Sequence, residues 1–133
     1  MGGFKICAVL LVLAVATASM SPVVNSFEEY IFNLLGGNAK LTVHCKSQDE
    51  DLGTVVVDDG NHFNWKFHLK SNSTTFYVCD MSFENVKGQF RIFDEVRDVM
   101  RCDTLRCIWE VQRDGLYLYI RENVDYEKQF SWP

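Results

Sequence analysis

From His62 to Leu69 the chain alternates without a fault: Phe63, Trp65, Phe67 and Leu69 fall on one face, and His62, Asn64, Lys66 and His68 on the other. Alternation held over eight residues predicts a β-strand with one buried face. Ahead of it, Thr54-Val55-Val56-Val57 is β-branched throughout, and Asp58-Asp59-Gly60-Asn61 reads as a turn, because glycine takes positive φ with no Cβ to clash. These two runs are expected to pair as an antiparallel hairpin. Residues 40–45, 74–79, 89–93, 107–111 and 116–120 supply further strand candidates. Leu41, Val43 and Cys45 share a face in the first, Cys107, Trp109 and Val111 in the fourth, and Leu116, Leu118 and Ile120 in the last. Segment 27–35 is two-sided. Phe27, Tyr30, Ile31, Leu34 and Leu35 fit helical spacing, while Tyr30, Phe32 and Leu34 fit a strand face, and periodicity alone favours a short helix. About seven or eight short strands between turn clusters predict an all-β sandwich or barrel.

One apolar run stands apart from this pattern. After Lys5, residues 6–16 are apolar without interruption, and Ala16-Thr17-Ala18 follows as a small-residue cleavage pattern. This is the layout of a secretory signal peptide, too short for the roughly 20 apolar residues of a membrane span. The expectation is a signal over residues 1–18, cut after Ala18 or as late as Ser26. Removing Lys5 leaves 12 basic against 18 acidic residues, a mature net charge of −6. Such a surface disfavours nucleic acid and anionic lipid, which need a cationic field. No later stretch is apolar enough to insert in a membrane, and a monomer is expected.

Cys7 leaves with the signal, so four cysteines remain: Cys45, Cys79, Cys102 and Cys107. An even set in a short exported domain predicts two disulfides, with three possible pairings. A zinc site would want closely spaced pairs, whereas only Cys102 and Cys107 are near each other, with four residues between them. Asn72-Ser73-Thr74 is an N-glycosylation sequon in a polar turn, where a glycan would be exposed.

Catalytic and metal chemistry find little to work with. Asp49-Glu50-Asp51 is broken by Leu52 and Gly53, which does not suit a calcium loop, and reads as a solvated turn in which Asp side chains cap backbone N–H groups. His62 and His68 lie roughly 20 Å apart along one strand, too far to share a metal. His44 points opposite Cys45 and is placed to meet a partner across the sheet. No nucleophile elbow, paired-histidine zinc motif or phosphate loop is present. No catalytic residue, metal or cofactor is assigned.

The block Leu41-Thr42-Val43-His44-Cys45-Lys46-Ser47-Gln48-Asp49-Glu50-Asp51-Leu52-Gly53 resembles the L-x-V-H-C-K-S-x-D-D-D-L-G block of the plant self-incompatibility S1 proteins, the S-protein homologues. Trp65-Lys66-Phe67, Thr75-Phe76-Tyr77-Val78-Cys79, Cys107-Ile108-Trp109 and Arg113-Asp114-Gly115-Leu116-Tyr117 match later blocks in order, so the likeness covers about residues 28–132. Glu50 stands where that pattern usually has Asp. The resemblance implies a secreted plant protein with a β-sandwich fold and two disulfides, and it turns residues 30–34 from helix to strand. It also implies an extracellular ligand for a cell-surface protein receptor and offers no catalytic residues to carry over.

The expected contacts are the loops 46–52, 58–61 and 93–106, the last carrying Asp94, Glu95, Arg97, Asp98, Arg101 and Asp103. A defence or inhibitor protein that sequesters a foreign enzyme or carbohydrate is the second reading. For the disulfides, inward strand faces favour Cys45–Cys107, which leaves Cys79–Cys102.

Overall fold

The computed structural model describes residues 26–133, and the expected export segment lies outside them. Nine strands build two facing sheets. The first holds β4 (His62–His68), β1 (Ser26–Asn33), β7 (Arg106–Gln112), β8 (Gly115–Ile120) and β9 (Asp125–Ser131), in that order. The second holds β3 (Asp51–Val57), β2 (Leu41–Lys46), β5 (Phe76–Phe83) and β6 (Val86–Asp94). A single helical turn, α1 (Glu95–Asp98), follows β6. All neighbouring strands are antiparallel except β1 and β7, which run parallel from Glu28↔Arg106 to Asn33↔Val111. The all-β sandwich is as expected, with β9 as a strand that the alternation had not marked.

Period-2 patterning decides which way each strand faces. Ile31, Leu41, Val43, Ile92, Trp109, Val111, Leu116 and Leu118 are fully enclosed between the sheets. Phe27, Phe67 and Phe93 meet there with ring centroids 4.8 to 6.2 Å apart. Each such side chain contributes about 1.5–3 kcal/mol by leaving water.

Three expectations need correction. First, β3 and β4 do not pair with each other. Gly60 takes φ 83° as the turn requires, but the turn crosses from the edge of one sheet to the edge of the other. β3 pairs with β2, while β4 finds β1 over seven residues, from Ser26↔His68 to Phe32↔His62. A tight turn fixes a reversal of the chain, not which sheet receives it. Second, 27–35 is not helical: β1 runs to Asn33, between β4 and β7, as the family resemblance implied. Its inward side chains are Phe27, Glu29, Ile31 and Asn33, and the two polar ones hid the alternation.

Third, the disulfides join Cys45 to Cys79 and Cys102 to Cys107, not Cys45 to Cys107 and Cys79 to Cys102. β2 and β5 are neighbours despite the two strands between them in sequence. Cys45 therefore lies directly opposite Cys79, with Cα atoms 4.0 Å apart. Thr104 and Leu105, at φ 40° and 68°, fold the chain back so that Cys102 meets Cys107 at 4.9 Å. Cys45 and Cys107 do both face inward, but from opposite sheets.

Candidate functional site

The sandwich has two ends with different characters. At one, segments 34–40, 58–61, 84–85 and 113–114 are cross-tied by polar side chains. Asn33 Nδ2 donates to the Ala39 and Val57 carbonyls at 2.9 and 3.0 Å. The Asp59 carboxylate accepts from the Gly36 and Asn38 N–H groups, both at 3.0 Å, and Arg113 Nε donates to the Leu35 carbonyl at 2.9 Å. Loop 58–61, one of the three expected contact loops, is thereby committed to structure.

The other end gathers 47–50, 70–75, 95–105 and 121–124, so the remaining two expected loops do come together. The acidic turn is capped mainly by serine rather than by its aspartates: Asp49 N and Glu50 N both donate to Ser47 Oγ at 3.2 Å, while Asp51 accepts from Gly53 N at 2.8 Å. His44 reaches Asp51 across the strand pair at 2.6 Å. The Gly53 N–H, helped by that histidine, holds the Asp51 carboxyl below its usual range. Lys70 pairs with Asp49, and the Tyr77 hydroxyl donates to Glu50. Burial, together with Glu50, pushes the Tyr77 phenol well above its ordinary range. Ser47, Asp49, Glu50 and Lys70 line a cleft of about 350 Å³ together with Phe67, Phe76 and Tyr77. Asn72 is exposed in the 70–75 segment at this end.

Loop 94–105 inverts the expected polarity. Its charges are spent on its own frame. Asp94 caps α1 by accepting from Val96 N and Arg97 N, Glu95 accepts from Thr75 N at 2.9 Å, and Arg97 forks onto Asp98 at 2.7 Å. Asp98 is fully buried and also accepts from Asp94 N at 3.0 Å. What faces water is largely apolar: Val96 is 81% exposed, Met100 75% and Leu105 46%, and Val124, in the neighbouring turn 121–124, is 74% exposed. Leu105 and Val124 sit at φ 68° and 52°, a region that costs non-glycine residues free energy and a β-branched one most. The signal for these residues was present in the sequence as apolar side chains, without periodicity, inside a charged loop.

Beneath this end lies a residue the sequence reading missed. Glu29 is fully buried on β1, and its Oε1 accepts from Trp109 Nε1 at 3.2 Å, while Oε2 has no partner. Burial, with Asp98 nearby, raises its carboxyl well above the ordinary value against the pull of Trp109 and Arg97.

Among the described residues no group of three or more His, Cys, Asp or Glu could hold a metal, and no helix is long and apolar enough to cross a membrane. Residues 30–132 match the family described as plant self-incompatibility protein S1. Among curated proteins of Arabidopsis thaliana, the chain is similar to S-protein homolog 24, at 38% identity over 69% of this chain and 61% of that protein. It is 42% identical to S-protein homolog 6 over 59% of this chain and 57% of the relative. With S-protein homolog 74 it shares 34% identity over 80% and 74% respectively. The chain thus spans about three-fifths of the length of the first two. A solved structure, described as that of self-incompatibility protein homologues, "a widespread family of small, highly stable, secreted proteins from plants", superposes with a TM-score of 0.60 at 19% identity. The superposition covers 82% of this chain and 96% of that one, and shows the shared fold.

Proposed function

Because the chain belongs to the plant self-incompatibility protein S1 family, one of small secreted plant proteins, we propose that it is an extracellular ligand that docks a cell-surface protein through the end formed by 47–50, 70–75, 95–105 and 121–124. In this reading residues 1–18 direct export and are removed, and Asn72 carries a glycan that borders the docking surface. The supporting observation is the apolar group Val96, Met100, Leu105 and Val124, exposed at one end on a frame of disulfide, helix cap and buried ion pair. Exposed apolar side chains gathered in one place mark interaction surfaces. A rigid frame also spares the ordering cost that a flexible loop bears on binding.

The test is binding of labelled, oxidised mature protein to intact plant cells, with unlabelled protein as competitor. Val96→Ser with Met100→Ser removes at least about 1.4 kcal/mol of apolar burial from the contact, a tenfold loss of affinity, while melting stays unchanged. Saturable binding that is indifferent to this pair of substitutions would place the contact elsewhere. No saturable binding to any cell type would end the ligand reading and turn the search to a sequestered foreign enzyme or carbohydrate.

A further inference from the structure

The outer faces of the two sheets differ in kind. On the four-stranded sheet the outward positions include Thr42, His44, Thr54, Asp80, Ser82 and Lys87, which border a shallow depression of about 520 Å³. On the five-stranded sheet they include Tyr30, Phe32, Ile108, Tyr117, Tyr119 and Tyr126, all half-buried. The core does not depend on most of these rings, because β1, β7 and β8 already send alternate residues into it. The polar sheet shows that this fold can present short hydroxyl and charged side chains on an outer face instead.

The rings form two groups. Tyr30 and Phe32 lie 6.3 Å apart and within 17° of parallel, with His62 4.8 Å from Phe32. Tyr119 and Tyr126 lie 5.3 Å apart. Between the groups runs β7, presenting Ile108 and Glu110. With strands spaced about 4.8 Å apart, β1 and β8 stand roughly 10 Å from each other. We propose that this face binds a neutral, β-linked polysaccharide laid across the strands, its sugar rings stacking on the two aromatic groups.

The chemistry of the face selects that occupant. A pyranose ring offers a flat C–H face to an aromatic ring and hydroxyls around its rim. The rim here supplies acceptors in Glu28 and Glu110 and an amide in Asn64, which is held by Glu28 at 2.8 Å. Hydrogen bonding to Glu28 raises the Tyr30 phenol and to Asp114 the Tyr117 phenol, and burial with Glu110 raises that of Tyr126, so all three stay neutral. The Tyr117 O–H is given to Asp114 at 2.7 Å, which leaves its oxygen to accept from a sugar hydroxyl. The charges nearly cancel: Lys66 and Arg106 stand against Glu28 and Glu110, and Lys128 is paired with Asp114 at 3.3 Å. The central strip holds Glu110 alone, and the mature chain is acidic. A polyanion is repelled and an uncharged polyol is not.

Native electrophoresis of the oxidised mature protein through gels containing soluble neutral β-glucan, or polygalacturonate at the same concentration, tests this. Expected are retardation by the glucan and none by polygalacturonate. Tyr126→Ala, on the edge strand β9, should weaken retardation at least fivefold, and Val96→Ser should leave it unchanged. If Tyr126→Ala lowers the melting temperature, Glu110→Gln, which keeps the side chain's shape, carries the test with an expected several-fold weakening. The proposal is overturned by free migration in neutral glucans, by retardation that survives these substitutions, or by stronger retardation in polygalacturonate. A dimer in light scattering that Tyr126→Ala dissolves would overturn it too, giving the face to a second copy of the chain.

Discussion

Replacing Glu29 with glutamine probes the carboxyl that the core holds beneath the loop end. Its neighbours are Trp109 from β7 and the Arg97–Asp98 pair from α1, and its Oε2 has no partner. Burial, and then Asp98, raises its folded-state value above that of the unfolded chain. A group raised in this way keeps its proton longer in the folded state than in the unfolded one. Its stabilisation is therefore complete below the unfolded value of about 4.3 and is lost as pH rises towards the folded one, at about 1.4 kcal/mol per pH unit. For a domain of this size that slope corresponds to roughly 6 °C of melting temperature per unit. Glutamine reproduces the neutral form, keeps an oxygen for Trp109 and cannot ionise.

Thermal melts of the two proteins between pH 5 and pH 8 should therefore diverge. Near pH 5 they should agree within about 1 kcal/mol, and towards pH 8 the Glu29→Gln protein should be the more stable. Carboxylates held low by partners act with the opposite sign, being stabilising above their unfolded values and lost as pH falls. Asp51 with the Gly53 N–H, Glu84 with Arg113 and Asp114 with Tyr117 are among the cases here, and their window lies below about pH 4. Every other group is common to both proteins and cancels in the difference. Parallel profiles, or a Glu29→Gln protein that loses stability faster as pH rises, would refute the reasoning.

The two bridges should differ in weight. Cys45–Cys79 closes a loop with a sequence separation of 34 and Cys102–Cys107 one of 5, so replacing each pair by serine should cost about 4 and about 2 kcal/mol in denaturant titration. Equal losses would show that native-state packing, not chain entropy, dominates. Asn33→Ala leaves the Ala39 and Val57 carbonyls and the Leu35 N–H without their buried partner, and should cost about 2–4 kcal/mol in the same assay. Gly115→Ala sets a Cβ 2.1 Å from the Phe130 carbonyl oxygen, a backbone atom that cannot step aside. It should cost about 1–3 kcal/mol and raise amide exchange selectively along β9.

Facing was legible in the sequence and pairing was not. The alternation at 62–69 correctly placed Trp65 and Phe67 in the core, because side-chain direction is a local property of a strand. Which strand β4 joins depends on β1, about 35 residues earlier in the chain, and no local signal carries that. The cysteine pairing failed for the same reason, since it required knowing that β2 and β5 are neighbours. Glu29 and Asn33 were missed because polar residues at inward positions break the very pattern used to find inward positions. In the candidate site, the loops were legible as loops. Their chemistry was not, because a charge that solvates a loop and a charge that builds one are the same letter. Asp94, Asp98 and Arg97 are identified as frame only by the N–H groups and partners they meet.

That inversion of polarity bears directly on how the loop end should bind. If Val96, Met100, Leu105 and Val124 supply the contact, affinity comes mainly from apolar burial and should be nearly insensitive to salt. If instead the acidic surface steers a basic partner, affinity should fall as the Debye length contracts from about 8 Å at 0.15 M to about 3 Å at 1 M ionic strength. The charges of 94–105 are largely paired already, Arg97 with Asp98 and Arg91 with Asp94, so little unpaired charge remains there for a partner. Competition binding to intact cells across that salt range should therefore change the dissociation constant by less than about threefold, since each tenfold step would need about 1.4 kcal/mol. A loss of tenfold or more would transfer the contact from the apolar tip to the charged rim of the 350 Å³ cleft, where Glu50 and Lys66 have no ion-pair partner among the described residues.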